Sequence, residues 1–212
     1  LGRTRGYVYH PRMMDFRAEA KLGLMQQLIT RSGYPDSAGP ESEANNGTIT
    51  GYDLYAYFLK EHPVSFTAFA NREQEPVLEL FNDRYMVMRE SQGGSVRWKN
   101  RVVPMSLRAT RTQGTEWGGD SVSHSQTDSL EYTARNQVAN WMRTEFRYRY
   151  QEYSQRFRAD TPLLRLDRKT DLDSHTADLV NTLYLTSDKR SHLTSTLRYF
   201  KQRGTQDLET FN

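Results

Sequence analysis

The chain contains no cysteine. Disulfides, thiolate zinc sites, iron–sulfur ligation and cysteine nucleophiles are therefore excluded. No apolar run approaches the roughly 18 to 20 residues that a membrane-crossing helix needs, so the chain reads as not itself transmembrane, although it can sit beside a membrane complex. The glycine-rich phosphate loops, the nucleophile elbow and the H-E-x-x-H zinc helix are missing as well. Gly93-Gly94 and Gly118-Gly119 lack the strand–glycine–helix context that cradles phosphate. Aliphatic side chains are also scarce, with hydrophobic residues making up 36% of the chain. A large excess of one charge is lacking too: the formal net charge is +3.

Aromatic residues partly fill the gap, with 13 Tyr, 9 Phe and 3 Trp. A tyrosine needs a partner for its hydroxyl when buried, so tyrosine-rich chains place these residues at half-wet surfaces. Few aliphatics and many rings point to a chain that completes its apolar contacts against a neighbour. Charge is arranged in blocks. Residues 1–31 are basic, residues 32–62 acidic, and residues 96–112 carry bases without an acid. Blocks of both signs suit complementary docking better than a general polyanion trap. A chain that begins at Leu1, with Arg3, Arg5 and Arg12 close behind, fits the border of a removed transit peptide. A mitochondrial location is expected on that ground.

Apolar spacing predicts an all-α fold of five or six helices with long loops, extended arms and a short β segment near 95–104. Residues 1–31 are expected to form an N-terminal arm and a first helix from Asp15, with Ala18, Leu22, Met25, Leu28 and Ile29 at helical spacing. Residues 32–51 read as a loop or linker, and 52–212 as the main helical region, within a single domain overall. Thr50 and Asp53 have the spacing of a helix-capping box before Tyr52, Tyr55, Tyr57 and Phe58. A third helix is expected over 72–90, and Gly93-Gly94 breaks the chain after it. The longest helix is expected over 128–159, where Leu130, Ala134, Val138, Met142, Phe146 and Tyr150 recur every four residues. Each such step overshoots a helical turn by about 40°, so this stripe would wind around the helix. Two short helices near 173–185 and 188–202 complete the expectation.

Candidate site residues are few. Arg97, Lys99, Arg101, Arg108 and Arg111 surround Trp98, a pattern able to hold phosphates and stack a base. It reads first as a strip docking on an acidic protein, then as a solvated edge, then as an RNA contact. Arg147, Tyr150, Tyr153 and Phe157 look like interface on the second half of the long helix. The expected partner contacts are thus Arg97, Trp98, Lys99, Arg101, Arg108, Arg147, Tyr150, Tyr153 and Phe157. Glu73, Glu75, Glu79 and Asp83 read as a solvated helix face, and Asp167, Asp171 and Asp173 fail the calcium-loop pattern. His10, His62, His124, His175 and His192 show no metal spacing. No catalytic residue, metal or cofactor is expected. The chain is read as a non-catalytic accessory subunit of a large assembly, such as a mitochondrial membrane complex of the respiratory chain or ATP synthase. An RNA-binding or ribosomal protein using 96–111 is the alternative. An enzyme assembled from scattered groups such as Glu75, Glu79 and His62 comes third.

Overall fold

The computed structural model describes residues 1–10, 12–31, 41–77, 85–118, 121–139, 141–161, 164–186, 189–204 and 208–211. It overturns the all-α expectation, because the described residues contain no helix. The chain forms a single antiparallel sheet of β1 (Gly2–Val8), β2 (Met14–Arg31), β3 (Glu41–Phe58), β4 (Val64–Val77), β5 (Tyr85–Trp98), β6 (Met105–Gly118), β7 (Ser121–Ala139), β8 (Met142–Thr161), β9 (Leu164–Tyr184), β10 (His192–Gly204) and β11 (Leu208–Phe211). Order in the sheet follows order in the chain. Consecutive strands pair antiparallel, and among the described residues each strand touches only its sequence neighbours.

The physical reason for the reversal is one of period. A spacing of four is close to one helical turn but equals two full strand periods. Leu130 and Ala134, with Met142, Phe146 and Tyr150, all lie on one face of the β7–β8 hairpin. The stripe that would have wound around a helix stays on one side of a sheet. Between its members stand Arg147 and Arg149 on the other face. Strict alternation of ring and guanidinium decides for the strand. The expected helix over 72–90 is instead the end of β4 and the start of β5, with Glu79 and Asp83 outside the described residues. Thr50 and Asp53 cap nothing and lie within β3. From Glu41 onward the expected loop over 32–51 is strand, while 32–40 falls outside the described residues.

Gly93-Gly94 runs through the middle of β5 instead of breaking it. A side chain at Gly94 would meet the Thr67 backbone oxygen at 2.7 Å, so close strand approach needs glycine here. The five-residue connection 9–13 is followed at the same end of the sheet by 59–63, 99–104, 140–141 and 185–191. We call this the near end. Three of these turns hold a non-glycine residue in the left-handed region, namely Tyr9, Leu59 and Lys189.

A single layer has no interior. Among the described residues only Val87, Glu19 and Ser65 are buried. Ordinary domains pack two layers around a core; here the apolar side chains of the sheet look outward. Leu22 is 80% exposed and Leu24 is 90% exposed.

Candidate functional site

Residues that pair directly across antiparallel strands project to the same face, so the register sorts every side chain to one of two sides. One row runs Val8, Met14, Phe58, Phe66, Val96, Leu107, Tyr132, Tyr148, Ala177 and Tyr199 from β1 to β10. Every member is apolar or aromatic. The row beside it on the other face runs Tyr57, Thr67, Ser95, Arg108, Glu131, Arg149 and Thr176 from β3 to β9. The next polar row is Ser65, Arg97, Ser106, Thr133, Arg147, Asp178 and Arg198. One face is therefore apolar and the other polar. The polar face has ring-bearing and aliphatic exceptions, among them Tyr55, Phe69, Tyr153, Phe157, Leu166 and Phe200.

The apolar face is a band and not a uniform sheet. On β2 it extends from Met14 to Leu24, on β4 from Val64 to Ala70, on β8 from Met142 to Tyr150, and on β10 from Leu193 to Tyr199. It is narrowest on β5 and β6, where Gly94–Trp98 and Met105–Ala109 are joined by a turn carrying exposed Val102. Away from the near end the same face becomes charged. Arg111 forks onto Asp128 at 2.6 and 3.1 Å, and Arg156 onto Asp167 at 3.1 and 2.8 Å. The Arg156 guanidinium holds the Asp167 carboxyl below the usual carboxylate range, and Lys169 does the same to Asp171.

From β2 to β10 the band shifts across the sheet, holding the same rows on β5, β6 and β7 and moving on either side of them. Met14 is its near limit on β2, yet Tyr199, in the same row, is its far limit on β10. Its midpoint moves toward the near end by about one residue per strand. One residue is about 3.3 Å along a strand and neighbouring strands are about 4.8 Å apart, so the band crosses the strands as a slab would if they were tilted by about 35°.

Some polar interruptions in the band are paired, while the Asn136 side-chain oxygen opposite Thr144 is buried without a hydrogen-bond partner among the described residues. Thr144 donates to the Asn181 side-chain oxygen at 2.7 Å. Tyr148 Oη lies 2.8 Å from His175 Nδ1, and the Tyr150 and His175 rings are 4.9 Å apart at the far limit of the band. On the polar face a ladder of ion pairs joins β7 to β8, and a further pair joins β9 to β10. Glu145 lies 3.2 Å from Arg135 and 3.3 Å from Arg143, Glu131 lies 3.7 Å from Arg147 and 3.6 Å from Arg149, and Asp178 lies 2.6 Å from Arg198.

The expected contact residues are thus divided. Arg97, Arg108, Arg147, Tyr153 and Phe157 lie on the polar face, Trp98 and Tyr150 on the apolar face, and Lys99 and Arg101 in the 99–104 turn. Arg111 is on the apolar side, bound to Asp128. The structure brings Arg97 and Arg108 together and separates them from the rest of the basic strip. His62 and Glu75 lie beyond and near opposite ends of β4, about 40 Å apart at ~3.3 Å per residue. Glu79 lies outside the described residues. Among the described residues no three His, Asp or Glu side chains cluster as a metal site. Sequence reading missed the apolar row and the Tyr55–Tyr57 pair beside Arg97. The alternation Phe66, Ala68, Ala70 against Ser65, Thr67, Asn71 was its signal, despite Phe69 on the polar side. Comparisons with protein-family models, curated proteins and solved structures find no match to this chain.

Proposed function

We propose that this chain forms part of the wall of a membrane-spanning β-barrel, with its apolar band in lipid and its polar face lining a water-filled lumen. One observation carries this reading: the apolar band drifts across the strands at a slope of about 35°, at the low end of the ~35–45° strand tilt of membrane barrels. Helix packing or docking on a single protein gives no reason for a band whose average drift over nine strands matches a barrel's strand tilt. A flat slab of hydrocarbon does.

Other features support it. The band reaches 9 residues on β8 and 11 on β2, against the about 9 to 11 that a tilted strand needs to cross a bilayer. Trp98 and Trp141 sit at the near limit, and Tyr52, Tyr150 and Tyr199 at the far limit, as aromatic girdles do. No helix among the described residues is long and apolar enough to cross a membrane, but strands cross by closing into barrels. The expectation of a chain outside the bilayer rested on helical length alone. On this reading the outside partner expected for the ring-bearing side chains is lipid. The outer edges of β1 and β11 need, on this reading, hydrogen-bonding strands in hydrocarbon.

Refolding the chain with phospholipid vesicles and floating them on a density gradient tests the proposal. The chain is expected to rise with the lipid and to resist alkaline extraction. A chain that stays in the aqueous layer would favour the second reading, an accessory subunit whose apolar face is covered by protein.

A further inference from the structure

The polar face holds a basic pair that the ion-pair ladder leaves out. Arg97 and Arg108 are diagonal neighbours on β5 and β6, since Ser95 pairs with Arg108 and Arg97 with Ser106. Among the described residues no carboxylate lies within ion-pair distance of either. Glu131 faces Arg108 across the β6–β7 ladder, but its Oε1 lies 3.7 Å from Arg147 and 3.6 Å from Arg149. Ionic demand on the neighbouring strand draws that carboxylate away. The Arg108 guanidinium instead rests over the Phe69 ring, 5.7 Å from its centroid. This contact restrains the side chain without neutralising it.

Beside the pair is a groove of about 320 Å³, lined by Tyr55, Tyr57, Thr67, Ser95, Arg97 and Arg108 with Ser65 and Phe69. Thr67 and Ser95 hydroxyls bond each other at 2.7 Å, leaving lone pairs and one proton for a guest. Two planar five-donor forks suit a carboxylate, and tyrosine rings and hydroxyls suit a hydroxylated carbon skeleton. The volume is that of a small-ligand site.

We infer that this groove binds a hydroxylated carboxylate of monosaccharide size, with its carboxylate between Arg97 and Arg108 and its ring against Tyr55 and Tyr57. The inference rests on the barrel reading in placing the groove on the water-filled side, where it would hold an acidic solute in the lumen.

Calorimetric titration of the full chain, refolded in detergent micelles, tests the site without requiring a bilayer. Glucuronate is the probe, with glucose, acetate and phosphate as comparisons. Saturable glucuronate binding is expected, with glucose failing for lack of the anion and acetate weaker for lack of the ring. Arg97→Gln and Arg108→Gln should each weaken glucuronate binding by about tenfold, the order of one charge-assisted hydrogen bond. Tyr55→Ala should weaken glucuronate but leave acetate unchanged. No saturable glucuronate binding, phosphate binding as tightly as glucuronate, or unchanged affinity in the arginine variants overturns the site. Urea midpoints matching the parent chain show that the variants fold. Vesicle flotation reports separately on the barrel, so binding without flotation sinks the barrel reading alone, and flotation without binding sinks the site alone.

Discussion

Phe69 on β4 lies directly opposite Gly93 on β5, and a methyl group added at Gly93 would stand 3.0 Å from the Phe69 ring tip and nearer still to the Ala109 backbone oxygen. The same ring carries the Arg108 guanidinium. A missing side chain on one strand thus makes room for a ring that supports a cation on a third. Gly93→Val is expected to destabilise the chain by about 1–3 kcal/mol through overpacking and to free Arg108 from its restraint. Urea unfolding of the refolded protein measures the first effect. Unchanged stability would show that this ring does not need the glycine.

Neighbours in sequence should differ sharply in tolerance. Leu197 projects into the apolar band near its midpoint on β10, while Thr196 projects to the polar face. Leu197→Arg is expected to cost about 2–4 kcal/mol in a bilayer, the penalty for arginine on a lipid-facing position near the midplane. Thr196→Arg should cost less than about 0.5 kcal/mol, as at an ordinary exposed site. Comparing unfolding free energies of the two variants in vesicles decides between them, and equal costs would contradict the assignment of faces.

A paired polar interruption makes a third expectation. Thr144 and Asn181 satisfy each other within the band. Thr144→Val leaves the Asn181 amide without its partner and should cost about 1–3 kcal/mol. Thr144→Val with Asn181→Leu removes both groups and should recover most of that loss. A double variant worse than the single would contradict the pairing.

Acid should loosen the far end of the β8–β9 hairpin before the band. Asp167 and Asp171 have carboxyls held below their ordinary range by Arg156 and Lys169. Groups of this sign contribute stability that is full above the unfolded carboxylate range and is lost as pH falls through the lowered folded values. Amide exchange in residues 154–158 and 165–171 should therefore rise on acidification, and Asp167→Asn should remove part of that response. Exchange that is flat from neutral pH through the carboxylate range would contradict it.

Much of the local pattern was legible in the sequence, but its period was misread. Leu130, Ala134, Phe146 and Tyr150 were seen as a set, yet a spacing of four satisfies helix and strand alike. The residues that distinguish them are Arg147 and Arg149, which read as part of an interface on a helix although their alternation with Phe146, Tyr148 and Tyr150 has the period of a strand. On the barrel reading each two-residue step of a strand between lipid and water carries equal weight, and ordinary aliphatic content is unnecessary because the described residues form no packed core. Few aliphatics and many tyrosines are, on that reading, the sequence's sign of contact outside the chain. The tilt of the band was not legible, because it emerges only from cross-strand register. Arg97 and Arg108 were named as a basic strip, but only pairing of β5 with β6 separates them from Lys99, Arg101 and Arg111.

The chain's lack of cysteine makes the central claim directly measurable. Single cysteines placed one at a time from Glu145 to Tyr150 on β8, spin-labelled in vesicles, report contact with lipid-soluble oxygen or with a water-soluble nickel reagent. Labels at 146, 148 and 150 should favour oxygen, and labels at 145, 147 and 149 should favour nickel. Nickel access at all six positions, or no alternation, would contradict a strand with one face in lipid and the other in water.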